Sequence, residues 1–126
     1  LEPLAAKLAA PDAPGNIELI RTHPARTPLR EESCDVVFLA NLWHALEDHA
    51  AVLREMARIL KPGGRLVLID WRHDAPHPPG PLPERRVPMW DTIRTLEYDW
   101  ELHHYGEAGE YSYLLIAGVA DQSQQS

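Results

Sequence analysis

An α/β fold, with a mostly parallel sheet and an antiparallel last strand, is predicted by three features of this sequence. Two apolar runs, VVFLA at 36–40 and RLVLIDW at 65–71, flank a single amphipathic helix. Neither run alternates with polar residues, which is how a strand buried on both faces reads. Pro62-Gly63-Gly64 stops the helix just before the second run. Strand, helix and strand in that order make a parallel pair with a right-handed crossover.

The elements follow in order. Residues 4–10, LAAKLAA, are helix-forming, and Pro11, Pro14 and Gly15 end them in a loop. IELIR at 17–21 reads as a short strand, after which Pro24 and Pro28 forbid regular structure to about residue 32. Asp48 is a good N-cap for a helix over 49–60. Val52, Leu53, Met56, Ile59 and Leu60 form its apolar face, and Arg54, Glu55 and Arg58 its other side. Five prolines between 76 and 83 predict an irregular, semi-rigid excursion over 73–86. A weak helix is expected at 89–96. Two antiparallel strands are expected at 100–105 and 111–119, joined by GEAGE. The polar tail 121–126 should fray.

The 126 residues make one domain at most, or part of one. With 44% apolar and 25% charged residues the chain can bury a core. No run of about 18 apolar residues predicts a membrane span, and the first residues do not read as a secretory signal. The single cysteine, Cys34, cannot close an internal disulfide, which fits a cytoplasmic location. A net charge of −7 argues against a partner held through phosphates, so no nucleic-acid partner is expected.

The segment CDVVFLANLWHALEDHAAVLREMARILKPGGRLVLIDW, 34–71, combines an acidic strand entry at Cys34-Asp35, an aromatic–histidine pair at Trp43-His44, a helix, and RILKPGGRLVLID. It closely resembles the middle of class I S-adenosylmethionine-dependent methyltransferases, in particular the small-molecule branch that includes the ubiquinone/menaquinone-biosynthesis-type enzymes. GEYSYLLIAG, 109–118, resembles the closing strand of that family. IELIRTHPARTPLREESCDVV aligns without gaps to its third strand and following loop. The resemblance covers nearly the whole chain, weakly over 74–107.

It implies the C-terminal part of a Rossmann-like methyltransferase sheet, S-adenosylmethionine as cofactor, and methyl transfer to a small-molecule acceptor, with an oligomer left open. On that reading 1–33 end the cofactor half, 34–71 form the strand–helix–strand core, 72–99 a proline-rich lid and helix, 100–120 a closing hairpin, and 121–126 the tail. The family opens with a strand, a GxGxG loop, a helix, and a second strand ending in an acid that holds the ribose hydroxyls, as in dinucleotide folds. None of the seven glycines stands in such a motif. The chain is therefore expected to be a fragment. The family's first strand lies mid-sheet, so its loss would leave 17–21 without neighbours. Glu2 is the candidate remnant of the ribose acid; a glutamate favoured at a helix start is the alternative.

Open parallel sheets bind ligands beyond the C-terminal ends of their strands, here 22–25, 40–44 and 70–73. At the first place the family usually has an Asp that accepts from the adenine amino group, and this chain has His23 followed by Pro24. A neutral imidazole can accept through one nitrogen but lacks the carboxylate's charge. Ala40, Asn41 and Leu42 match the segment that lines the cofactor, although Leu42 and Trp43 fit core packing equally. His44 matches a position that faces the cleft and is the candidate base; a structural histidine ahead of the helix is the alternative. Asp70 and Trp71 end the strand where the acceptor would sit, with Trp71 as a possible aromatic wall. Arg85 and Arg86 lie in the lid, and Arg86 is the candidate for an anionic substrate.

His73 and His77, with His103 and His104, do not make a convincing metal set, because prolines flank His77 and one cysteine is too few for a structural zinc site. Cys34 enters a buried strand, where inert packing outweighs nucleophilic use. A non-catalytic scaffold derived from the same fold is the competing function. A short-chain reductase would need Tyr four residues before Lys, and neither Lys7 nor Lys61 has one. The place of the [DN]PP[YF] motif of amino-group nucleic-acid methylation reads Asn41-Leu42-Trp43-His44.

One expectation is directly measurable. A hydrogen bond to a charged group contributes roughly 1.5–3 kcal/mol, so lacking one or two from the glycine loop and ribose acid weakens binding about ten- to ten-thousand-fold. Calorimetric titration of S-adenosylmethionine should therefore find the 126-residue chain weaker by that factor than a polypeptide extended upstream of Leu1. Micromolar binding by the chain alone would contradict this.

Overall fold

The computed structural model describes residues 6, 7, 9–13 and 15–120. Six elements follow in order: β1 (Cys34–Ala40), α1 (His49–Ile59), β2 (Leu60–Trp71), α2 (Met89–Leu96), β3 (Trp100–Ala108) and β4 (Ser112–Val119). Single 3-10 turns occupy Trp43–Ala45 and Pro83–Arg85. Of the helix expected over 4–10, residues 6 and 7 are helical and 9 and 10 form a turn and a bend, while 4, 5 and 8 lie outside the described residues.

The sheet order is β1-β2-β4-β3. β1 and β2 are parallel, from Val36 opposite Arg65 to Ala40 opposite Ile69. β4 runs antiparallel to both of its neighbours. β1, β2 and β3 therefore point one way and β4 alone opposes them, as the two apolar runs and the closing GEYSYLLIAG segment predict.

α1 begins where Asp48 accepts the Ala51 N–H at 3.0 Å, which satisfies one of the free donors of its first turn. It leads straight into β2 at Leu60. Pro62-Gly63-Gly64 is not a separate turn but an irregularity inside β2, facing Cys34 and Val36. Gly63 has φ +79, and a Cβ on Gly64 would lie 2.9 Å from the Lys61 carbonyl and 3.0 Å from that of Asp35. Only glycine fits both the left-handed backbone and the close approach.

Both helices cover one face of the sheet. Val52, Leu53, Met56 and Ile59 of α1 and Leu96 of α2 bury against Leu39, Leu66, Leu68, Tyr113, Leu115 and Ala117. Residues of opposite parity in β1 stay open on the other face, with Val36 57% and Phe38 58% exposed. The apolar runs were expected to be covered on both faces; among the described residues only one face is. No helix among them is long and apolar enough to cross a membrane.

Two expectations need correction. Residues 17–21 form no strand, and Ile17 and Ile20 are exposed. β1 is the sheet edge, and no described strand is placed to receive 17–21, so its backbone groups have no ladder to join. Glu55, assigned to the outer side of α1, is only 8% exposed, because 22–32 folds across it.

Glu55 clamps that segment. Its Oε2 accepts from the Thr27 N–H at 2.8 Å, the Thr27 hydroxyl at 2.7 Å and Arg58 at 2.7 Å. Arg58 in turn donates to the Leu29 carbonyl at 2.7 Å. The Arg58 hydrogen bonds foremost hold the Glu55 carboxyl down at about 2, against the opposing effect of burial. A carboxyl lowered on folding stabilises above its unfolded value and loses that contribution as pH falls through its folded value. Glu55→Gln should therefore cost on the order of 1–3 kcal/mol at neutral pH. Urea unfolding between pH 5 and about 2 should show the variant losing less stability on acidification than the parent. Parallel pH profiles would contradict the clamp.

Candidate active site

The C-terminal ends of β1 and β2 meet at a carboxylate with no solvent contact, Asp70. After Ala40 the Asn41 N–H still reaches the Ile69 carbonyl at 2.8 Å. Asn41 then takes φ +55, a left-handed turn that asparagine tolerates. This turn drops Trp43 into the core and swings His44 over the end of β2. Trp43 is held from outside by His49, whose ring stacks on it at 3.9 Å and donates through Nε2 to the Trp43 carbonyl at 2.9 Å.

Asp70 receives three N–H groups. The backbone N–H of His44 donates to Oδ2 at 2.7 Å, that of Trp71 to Oδ1 at 2.8 Å, and the His44 ring lies with Nδ1 2.8 Å from Oδ1. Both oxygens already act as acceptors, so Nδ1 is the donor and the neutral ring keeps its lone pair on Nε2. The His44 side chain is 16% exposed. It lines an open cleft of about 600 Å³ with Ala45, Pro81, Leu82 and Arg85. A carboxylate bonded to one imidazole nitrogen fixes the tautomer of a ring that lines a cleft, a geometry that an oriented general base would use.

Tyr113 sits opposite Asp70 in the ladder but takes no part in such chemistry. Its hydroxyl donates to the Val87 carbonyl at 3.0 Å and lies 3.1 Å from the Thr92 hydroxyl. Burial, foremost, pushes it up to about 12.

The loop between β2 and α2 forms the far side of the cleft, and Arg86 organises it. Arg86 is 5% exposed and donates to the carbonyls of Pro81, Arg72, Ala75, Pro76 and Pro79 at 2.7–3.3 Å. Its guanidinium carbon lies 5.9 Å from the Trp71 ring centre. Gly80, at φ +89, packs where a Cβ would come within 2.7 Å of that ring. Trp71 and Arg86 are thus brought together, but inside the loop. The expected anion-binding role of Arg86 gives way to that of a loop fastener, because its donors are already engaged. Arg85 is the arginine at the cleft.

His23 lines a hollow of about 270 Å³ with Ala45, Leu46, Glu47, Asp48 and Val52. Ala45 lines both hollows. The His23 Nδ1 accepts the Ala25 N–H at 3.0 Å. Its neutral ring therefore carries the proton on Nε2 and presents a donor, the reverse of the acceptor expected for an adenine amino group. Pro24 is half-buried in the same turn, and Ala40 and Leu42 are exposed at the strand end. Glu2 lies outside the described residues. Sequence reasoning named Asp70 only as a strand end; its signal was an acid closing an otherwise apolar strand.

Comparison with known proteins bears on the fold and the family. The family described as "Methyltransferase domain" matches residues 2–68, more than half of the chain. The demethylmenaquinone methyltransferase of Listeria welshimeri is 40% identical over 110 residues, covering 87% of this chain and 42% of that protein. A highly reducing polyketide synthase of Alternaria alternata is 38% identical over 71 residues, 56% of this chain and 3% of the synthase. The chain thus spans less than half the length of these relatives. The crystal structure of a SAM-dependent methyltransferase from Aquifex aeolicus superposes with a TM-score of 0.78 at 27% identity, covering 84% of this chain and 56% of that one. The family match, these relatives and the fold agree: the chain belongs to the class I S-adenosylmethionine-dependent methyltransferases.

Proposed function

We propose that this chain supplies the acceptor side, and part of the cofactor wall, of an enzyme that methylates a small-molecule acceptor, with His44 as general base and Asp70 as the residue that positions it. The observation that carries the reading is the buried Asp70 bonded to His44 Nδ1 at 2.8 Å, beside a cleft that His44 lines.

S-adenosylmethionine supplies an electrophilic methyl group on a sulfonium sulfur. The described residues fit one side of such a molecule. Ala40, Asn41 and Leu42 follow one another, exposed, at the strand end, and Ala45 lines both the His23 hollow and the His44 cleft. His23 would meet an adenine ring nitrogen as a donor rather than the amino group as an acceptor. No glycine-rich phosphate-type loop follows a strand among the described residues. The protein's own task in methyl transfer is alignment of the acceptor and removal of its proton. His44 Nε2 takes that proton, and the imidazolium formed is stabilised by the Asp70 carboxylate, which moves no atom to do so.

The test uses the polypeptide extended upstream of Leu1. His44→Gln should lower kcat by about 10²–10⁴-fold and leave cofactor affinity within about two-fold. An undiminished rate would remove the base; absence of methyl transfer from the parent with a wide panel of small acceptors would favour the scaffold reading.

Asp70→Asn adds a check on the 126-residue chain itself. An amide accepts through one oxygen and turns N–H against one of the three donors, leaving it unpaired in a buried site. The cost should be about 1–3 kcal/mol in urea unfolding, and a variant as stable as the parent would show that Asp70 is not holding those donors.

A further inference from the structure

The peptide unit that joins Trp43 to His44 is gripped from both ends. A trans peptide points its carbonyl and its N–H in opposite directions. The N–H, that of His44, donates to Asp70 Oδ2 at 2.7 Å. The carbonyl, that of Trp43, accepts from the Leu46 N–H at 3.1 Å and from His49 Nε2 at 2.9 Å. A carbonyl oxygen can only accept, so Nε2 carries the proton of the neutral His49 ring. An unbroken chain results: His49 Nε2–H donates to the peptide carbonyl, the peptide N–H donates to Asp70, and His44 Nδ1–H donates to the same carboxylate. Each hydrogen bond in such a chain polarises the next. His49 is well placed for this grip. It is the first residue of α1, directly after the Asp48 cap that accepts from the Ala51 N–H, so its backbone is held by a helix packed on the core. Its ring is half-buried and stacks on the Trp43 indole at 3.9 Å with 10° between the planes. The indole N–H of Trp43 is buried and has no partner among the described residues. Packing and the stack therefore hold the indole, and the bonds at its carbonyl hold the peptide.

We infer that His49 is a positioning residue for His44: through the Trp43–His44 peptide it keeps the His44 N–H on Asp70, and so keeps the carboxylate aligned with the His44 imidazole. The inference rests on the reading of His44 as the base. His49 touches no reacting atom on this account and acts only through the peptide. The donor rather than the stack carries the effect, because a ring without an N–H would leave the carbonyl bonded to Leu46 alone. That remaining bond keeps the carbonyl satisfied, so loss of the His49 donor shows at His44 rather than in the stability of the whole chain. Two histidines of opposite tautomer thus face one carboxylate, one directly through its ring and one through a backbone amide.

The unaltered 126-residue chain gives the first test, at a pH where both imidazoles are neutral. Long-range proton–nitrogen NMR correlation should find His49 protonated on Nε2; a proton on Nδ1 would overturn the inference without any variant. Two substitutions then separate donor from ring. His49→Phe keeps a ring to stack on Trp43 and loses the donor. The His44 backbone amide proton should move upfield, toward a weaker hydrogen bond, and the His44 Nδ1 proton should exchange with water about two- to ten-fold faster. His49→Gln keeps a donor at about the same reach and loses the ring, and it should bring both signals back toward the parent. Core amide signals matching the parent establish that each variant is folded. In the polypeptide extended upstream of Leu1, His49→Phe should lower kcat about two- to ten-fold at unchanged KM, with recovery in His49→Gln. His44 signals unmoved by His49→Phe, or moved equally by both variants, would overturn the inference. So would a full rate in His49→Phe where His44→Gln is defective. Failure of the base reading looks different: His44→Gln would keep its rate while the NMR link between His49 and His44 still stood.

Discussion

A carboxylate without any solvent contact must take all its compensation from the protein, and Asp70 does so at the point where the two parallel strands end. An ionised group left unpaired in such a place would cost several kcal/mol. Here two backbone N–H groups and one imidazole N–H surround it. The His44 donors come from the segment that leaves β1, and the third comes from the residue that ends β2. The carboxylate therefore fixes the crossing of two chain segments, and with it the tautomer, height and orientation of His44. The left-handed turn at Asn41, the burial of Trp43 and the position of the cleft all follow from that crossing.

The loop beyond β2 solves the opposite problem in a complementary way. Arg86 is a buried cation without a carboxylate, and carbonyl oxygens of five loop residues satisfy it. Prolines suit such a loop, because they remove N–H groups that would themselves need acceptors while leaving every C=O available. The buried anion thus gathers N–H groups on one wall and the buried cation gathers C=O groups on the other. Neither charge neutralises the other, and the cleft beside them is lined by His44 and by the exposed Arg85. Tyr113, pushed up to about 12 by burial, keeps α2 docked without competing for protons.

Periodicity carried most of the fold. The unbroken apolar runs at 36–40 and 65–71 and the helical spacing of Val52, Met56 and Ile59 report local structure that burial of one face then confirms. IELIR has equally good strand residues but no described ladder to join, and pairing is a property of the neighbour rather than of the segment. Glu55 was misplaced because helical spacing says which residues share a side, not what later folds over that side. The place of His44 just beyond a strand end was legible from the sequence. The partnership with Asp70 was not, since it depends on a turn that brings residues 26 positions apart within 2.8 Å. Arg85 and Arg86 are indistinguishable as sequence; only the fold assigns one to the loop interior and the other to the cleft.

The central claim is that Asp70 holds His44 with Nδ1 protonated and Nε2 free. Long-range proton–nitrogen NMR correlation on the 126-residue chain, at a pH where the imidazole is neutral, reads the tautomer directly. The account predicts an Nδ1–H tautomer for His44, with a slowly exchanging Nδ1 proton signal that Asp70→Asn removes. A His44 ring protonated on Nε2, or rotating freely between tautomers as solvent-exposed histidines do, would contradict it.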